Sequence, residues 1–125
     1  MPKVASYTVV RDSNLTLPDN GDIDFDFPEF SLPNLSASES SPDRPILSFK
    51  VNPLSDDARV VLVLGEGDDA VDIYGETYSD GPIRTVTEVL GRSLFRSSGN
   101  KLSVRREGTG TFVISDITIT YKADV

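Results

Sequence analysis

Apolar and polar residues alternate with a period of two in several short runs of this chain, and the runs end at glycine or proline. Successive side chains of a strand point to opposite faces, so each run describes a strand with one face buried. In Asp22-Ile23-Asp24-Phe25-Asp26-Phe27, Ile23 and the two phenylalanines share one face and the three aspartates the other. Ile46-Leu47-Ser48-Phe49-Lys50-Val51 directs Leu47, Phe49 and Val51 inward, with Ser48 and Lys50 outward. Tyr7-Thr8-Val9-Val10 is a weaker first strand. Val60-Val61-Leu62-Val63-Leu64 is apolar at every position, as a central strand covered on both faces would be.

Turn chemistry fills the gaps. Gly65-Glu66-Gly67-Asp68 predicts a hairpin turn into Val71-Asp72-Ile73-Tyr74. Gly99-Asn100 predicts another, followed by Leu102 and Val104 inward and Lys101, Ser103 and Arg105 outward. Gly108-Thr109-Gly110 would close that hairpin and open a last strand from Thr111 to Tyr121. Within it, Phe112 and Ile114 have one parity and Ile117, Ile119 and Tyr121 the other, so a β-bulge is expected near Ser115-Asp116. Thr85 to Gly91 fits two templates. Thr85 with Glu88 matches a helix capping box, and Val86, Val89, Leu90 and Leu94 have helical spacing. Its β-branched residues favour a strand through Val89 with a turn at Gly91-Arg92. Leu35 to Pro42 is a serine-rich loop.

Seven of the eight prolines lie at or before Pro53, and eight of the nine glycines at or after Gly65. Proline belongs to sheet edges and strand starts, glycine to tight turns. Residues 1–45 should therefore wrap as edge segments and loops, and residues 46–125 should form a glycine-turned meander, within one domain spanning 1–125. About eight short strands in this arrangement specify an all-β fold: an antiparallel two-sheet sandwich of jelly-roll type.

From Pro45 to Tyr121 the chain carries an apolar strand at Val60–Leu64, Glu88-Val89, Leu94 before Gly99-Asn100-Lys101-Leu102-Ser103-Val104, and a closing Phe112-Val113-Ile114-Ser115-Asp116-Ile117. In these features it resembles the galactose-binding-like jelly-roll domains. The resemblance implies a noncatalytic binding or adhesion module with carbohydrate as its ligand class. The chain departs from that family in lacking tryptophan, a common sugar-stacking residue there, and in its proline-rich first third.

Among 125 residues there is no histidine and no cysteine, which removes Ser-His-Asp triads, thiol nucleophiles, zinc fingers and histidine acid/base chemistry. A net charge of -8 opposes binding to nucleic acid. No stretch reaches the roughly 20 apolar residues of a membrane span, and the first residues lack the apolar core of a signal peptide. Cytoplasmic synthesis is expected, whether or not the product later joins an extracellular or viral assembly.

Carboxylates are the acid/base groups present in quantity. Asp22, Asp24 and Asp26 recur at about 6.6 Å along a strand, within the range of a glycosidase pair. A solvated outer face explains them more simply, and no enzyme activity is expected. Asp19-Asn20-Gly21-Asp22 and Gly65-Glu66-Gly67-Asp68-Asp69 are rich in oxygen ligands of the kind calcium takes. Neither has EF-hand spacing, ordinary turn chemistry accounts for both, and no cofactor is assigned. For a glycan, Tyr74, Glu76, Tyr78, Asp80 and Arg84 combine rings for stacking with groups for bidentate hydrogen bonds on what reads as a loop. The alternative partner is a copy of the chain itself, in a homo-oligomer or a larger particle such as a virion, filament or secretion apparatus. There Arg92, Arg96, Lys101, Arg105 and Arg106, read as an outward basic patch, would dock against Asp22, Asp24 and Asp26 of a neighbour.

Overall fold

The computed structural model describes residues 2–125, which form nine strands and three short 3-10 turns. The strands are β1 (Lys3–Arg11), β2 (Leu15–Leu17), β3 (Asp24–Asp26), β4 (Ile46–Pro53), β5 (Ala58–Leu64), β6 (Val71–Tyr78), β7 (Arg84–Val89), β8 (Leu102–Arg106) and β9 (Phe112–Asp124). They make two antiparallel sheets, one in the order β1-β9-β4-β7 with β2 also on β9, the other in the order β3-β8-β5-β6. Between them lies one core, in which Leu47, Phe49 and Val51 of β4 and Val60, Leu62 and Leu64 of β5 join Phe112, Ile114, Ile117 and Ile119 of β9. The fold is the all-β jelly-roll-like sandwich that the alternation implied. None of its described helices is long and apolar enough to cross a membrane.

Parity located the irregular point of β9. Ser48 pairs with Thr118 but Lys50 with Ser115, so β9 holds one extra residue there, and Asp116 takes a left-handed φ of 52°. On the other edge of β9 the break between β1 and β2 falls at the same place, because Arg11 pairs with Ile117 and Leu15 with Ile114. Thr85 to Val89 is strand, and the chain turns through Arg92–Leu94. The β5–β6 hairpin turns on Gly65 and Gly67, both at positive φ.

Two expectations are corrected. Residues 46–125 are not a meander: β5–β6 is the one hairpin, and every other connection from β4 to β9 passes from one sheet to the other. Gly108-Thr109-Gly110 accordingly closes no hairpin; it carries the chain from β8 across to β9. Glycine reports a sharp reversal but not which sheet the next strand joins. A close approach explains the glycine at 110. A Cβ there would overlap the Asp56 carbonyl oxygen and sit 2.7 Å from the Ala58 nitrogen. This crossover packs directly on the one between β4 and β5. Gly110 N–H donates to the Asp57 carbonyl at 2.8 Å, and the Thr109 N–H and hydroxyl donate to the Asp57 carboxylate at 3.0 and 2.9 Å. Those Thr109 bonds, the backbone one first, hold the Asp57 carboxyl below its ordinary value.

The first third does supply sheet edges, β1, β2 and β3, but it also builds core. Phe27 N–H donates to the Leu102 carbonyl and Phe30 pairs with Asn100; Leu35 then pairs with Ala123, and Ser36 N–H reaches the Lys122 carbonyl. Residues 27–36 thus stitch the edge of one sheet to the other and bury Phe27, Phe30, Leu32 and Leu35. The strand at Asp22–Phe27 is shorter than its pattern: β3 holds three residues, and Ile23 is left 43% exposed.

Candidate functional site

Three regions carry the polar side chains from which a site could be made. At the edge where β6 leads into β7, Tyr74 and Tyr78 are on strand β6, not on a loop. Tyr78 is buried, Tyr74 is half-buried, and their hydroxyls hydrogen-bond to each other. Tyr74 packs edge-on against Phe49 with centroids 5.2 Å apart. Burial, with the Tyr78 bond adding to it, pushes the Tyr74 phenol well above its usual range. Arg84 lays its guanidinium 5.1 Å over the Tyr78 ring, a cation–π contact. Glu76 is exposed, and the Asp80 N–H is held by the Asp56 carboxylate at 3.0 Å. Tyr74, Tyr78 and Arg84 are brought into contact, but the rings serve the core and leave Arg84, Glu76 and Asp80 as the groups facing water.

The second region is the outer face of the four-stranded sheet. Arg105 on β8 reaches Glu107 at 2.6 Å and Asp72 on β6 at 3.8 Å, and so spans β5 between them. Arg59 on β5 bonds Glu107 at 3.2 Å and lies against Gly75, where a Cβ would stand 2.9 Å from its Nη2. Val61, in register with Arg105, and Val63, in register with Asp72 and Ser103, share this face of β5 and are 1% and 8% exposed, as expected where long side chains lay their stems along a sheet and keep their heads in solvent. The bond from Arg105 and then that from Arg59 hold the Glu107 carboxyl below its ordinary value.

That network decides where the expected interface residues stand. Asp24 is in register with Arg105, and Asp26 with Ser103, so the acidic strand lies beside the basic strand of its own chain. The five cations do not make one outward patch. Arg106 has the parity of Leu102 and Val104 and turns toward the inside of the sandwich, opposite Val60. Arg92 is tied to the Ser36 and Phe95 carbonyls at 2.5 and 2.9 Å. Asp22 is exposed and pairs through its backbone with Asp19. Among the described residues, no three acidic side chains gather to hold a metal ion.

The third region is the concave one, and it lies at the far end of the four-stranded sheet from the Tyr78 corner. Leu64 pairs with both Leu102 and Val71 there, whereas Ala58 pairs with Tyr78 at the opposite end. A cleft of about 560 Å³ has Leu64, Val71 and Leu94 as its apolar lining and Glu29, Glu66, Asp69, Ser93, Arg96 and Lys101 as its polar lining. A second depression of about 230 Å³, reaching Asp26 and Ser103, shares Glu29, Gly65, Glu66 and Lys101 with it. Lys101 stands between them, 2.9 Å from Glu66 and 3.5 Å from Glu29, and the Glu66 bond first of all raises its pKa. Arg96 has no ion-pair partner among the described residues. Its backbone is fixed by Asn100, whose buried side chain accepts from Arg96 N–H at 2.9 Å and donates to the Arg96 and Phe30 carbonyls at 2.7 and 3.2 Å. Turn propensity identified Gly99-Asn100 as a reversal. It gave no sign that the amide of Asn100 clamps the wall of a cleft.

No known protein family and no curated protein matches the chain in sequence. Its fold, however, recurs among solved structures. One described as "CBM4 structure and function" superposes with a TM-score of 0.56 at 19% identity, over 94% of this chain and 70% of the other. A family 29 carbohydrate-binding module complexed with cellulohexaose matches at a TM-score of 0.52 and 11% identity, over 93% of this chain and 91% of that one. A chain of infectious bursal disease virus, Gx strain, matches at 0.51 and 8% identity over 98% of this chain, which spans 37% of the viral one. At such identities the likeness is one of fold.

Proposed function

We propose that this chain is a noncatalytic glycan-binding module whose ligand lies in the cleft beside Lys101. The observation that carries this is the lining of that cleft. Leu64, Val71 and Leu94 offer a strip for the C–H face of a sugar, while Arg96, Lys101 and Ser93 donate, and Glu29, Glu66 and Asp69 accept, hydrogen bonds around it. Charged partners make the stronger bonds to hydroxyls. The fold it shares with carbohydrate-binding modules is consistent with this role, and the lack of histidine and cysteine fits binding without catalysis. With no tryptophan for stacking, the expected affinity is weak, in the millimolar range or about -4 kcal/mol.

A glycan array followed by titration calorimetry on the best neutral oligosaccharide tests the assignment. Lys101→Ala and Arg96→Ala are expected to abolish the measurable heat, and Arg84→Ala, at the other end of the sheet, to leave it unchanged. The opposite pattern would move the ligand to the Tyr74–Arg84 edge. An array with no binding above background would remove glycan recognition altogether.

A further inference from the structure

The outer face of the five-stranded sheet is built differently from every other surface of the molecule. Two rows cross all four of its long strands in register. One is Tyr7, Thr120, Ile46 and Val89; the other is Val9, Thr118, Ser48 and Thr87. Tyr7, Val9 and Val89 are 68%, 49% and 57% exposed, and no row member is charged. Charge appears only at the rim, where Lys3, Lys50 and Lys122 balance Asp43, Asp116 and Asp124, with Lys50 3.4 Å from Asp116 and Lys3 4.0 Å from Asp43. The whole net charge of -8 therefore resides on the rest of the molecule.

We propose that this face associates with the same face of a second copy, forming a two-fold, sheet-on-sheet pair. Two chains of equal negative charge repel wherever carboxylates would meet, and a like-charged contact is costly. Here no carboxylate stands in the field, and each neutral rim can meet another. Stacked sheets sit about 10 Å apart with interdigitating side chains, which threonine, valine and isoleucine rows allow. Four strands at about 4.8 Å spacing and about four outward residues along each give roughly 400 Å² per copy in projection. A standard stable interface takes about 800 Å² per partner, so the pair is reversible and concentration-dependent. It is independent of the cleft beside Lys101, which belongs to the other sheet.

Because long-range repulsion opposes the pair, salt strengthens it: screening shortens the reach of the repulsion from about 10 Å at 0.1 M to about 3 Å at 1 M. An assembly joined by Asp22–Asp26 and the arginines would weaken with salt instead. Sedimentation velocity of the full chain over a concentration series, in low and high sodium chloride, reads the sign. The expected result is a monomer–dimer equilibrium that shifts toward dimer in high salt. Thr120→Asp or Val89→Asp enters the interface twice and is expected to raise the dimer dissociation constant tenfold or more. Mixing Thr120→Asp with Thr120→Lys chains is expected to restore association. Unchanged thermal melts establish that these exposed substitutions leave the fold intact, and Val89→Asp on edge strand β7 repeats the test if Thr120→Asp does not fold. A wild-type chain monomeric under every condition, a dimer that dissociates in salt, or one indifferent to both aspartate variants would each overturn the pairing.

Discussion

On the outer face of the four-stranded sheet, Val61 and Val63 are 1% and 8% exposed; on the outer face of the five-stranded sheet, Val9 and Val89 are 49% and 57% exposed. All four are valines on strands of the same sandwich, and none faces the central core. Two things differ: β5 lies between β8 and β6, whereas β1 and β7 are the two edges of their sheet, and the side chains around the valines are unlike. Arg59 and Arg105 are long enough to fold over β5, and Glu107 and Asp72 hold their heads in place. Around Val9 and Val89 the short threonines and serines cover little, and Ile46, opposite Val89, leaves it more than half exposed. An outer sheet face becomes buried, without a further layer of chain, when paired long side chains roof it. Left with short ones, it keeps an apolar field open to a partner.

Substitutions can break this contrast. The largest effect is expected at Val61→Ala, which empties space under the arginine roof and should cost about 2 kcal/mol in denaturant unfolding. Glu107→Gln comes next, because one carboxylate anchors both arginines. It is expected to lower the melting temperature at neutral pH, by less in concentrated salt. The folded-state pKa of Glu107 is depressed, so its contribution is complete above the ordinary value of 4.5 and is lost as pH falls through the lower folded value. Melts of the two proteins should therefore converge on acidification, and a gap that persists at acid pH would mean that Glu107 acts through packing rather than charge. Smallest is Val89→Ala on the bare face, expected to change monomer stability by no more than about 0.5 kcal/mol. A loss comparable to that of Val61→Ala would show that the face is already covered.

The local geometry could be read from the chain because parity is conserved along a strand. The inward set of β4, the central place of β5 and the bulge at Asp116 all follow from which residues share a face. Partnership between distant strands leaves no such trace. Nothing in Gly108-Thr109-Gly110 says that β8 and β9 belong to different sheets, and the three residues of β2 are too few to show a period. The candidate site was legible in residue type more than in place. Lys101 and Arg96 were singled out for their charge, but the cleft beside them arises where the β5–β6 turn meets the Arg92–Asn100 segment, two stretches far apart in sequence. Tyr74 and Tyr78 drew attention as rings on a polar stretch, and strand periodicity turned them toward the core instead.

The position of β9 has a consequence for how the protein is made. β1, β2 and β4 all hydrogen-bond to it, as does the Leu35–Ser36 segment. It is also the last of the nine described strands in chain order. While the ribosome is still making the chain, the other sheet can pair β5 with β6 and then β8, but β1, β2 and β4 lack this partner until β9 emerges. Unpaired strands of this kind invite the wrong neighbours. The nascent chain is therefore most exposed to misassociation just before β9 emerges, and a chain stalled ahead of Phe112 would hold one sheet without the means to close the other.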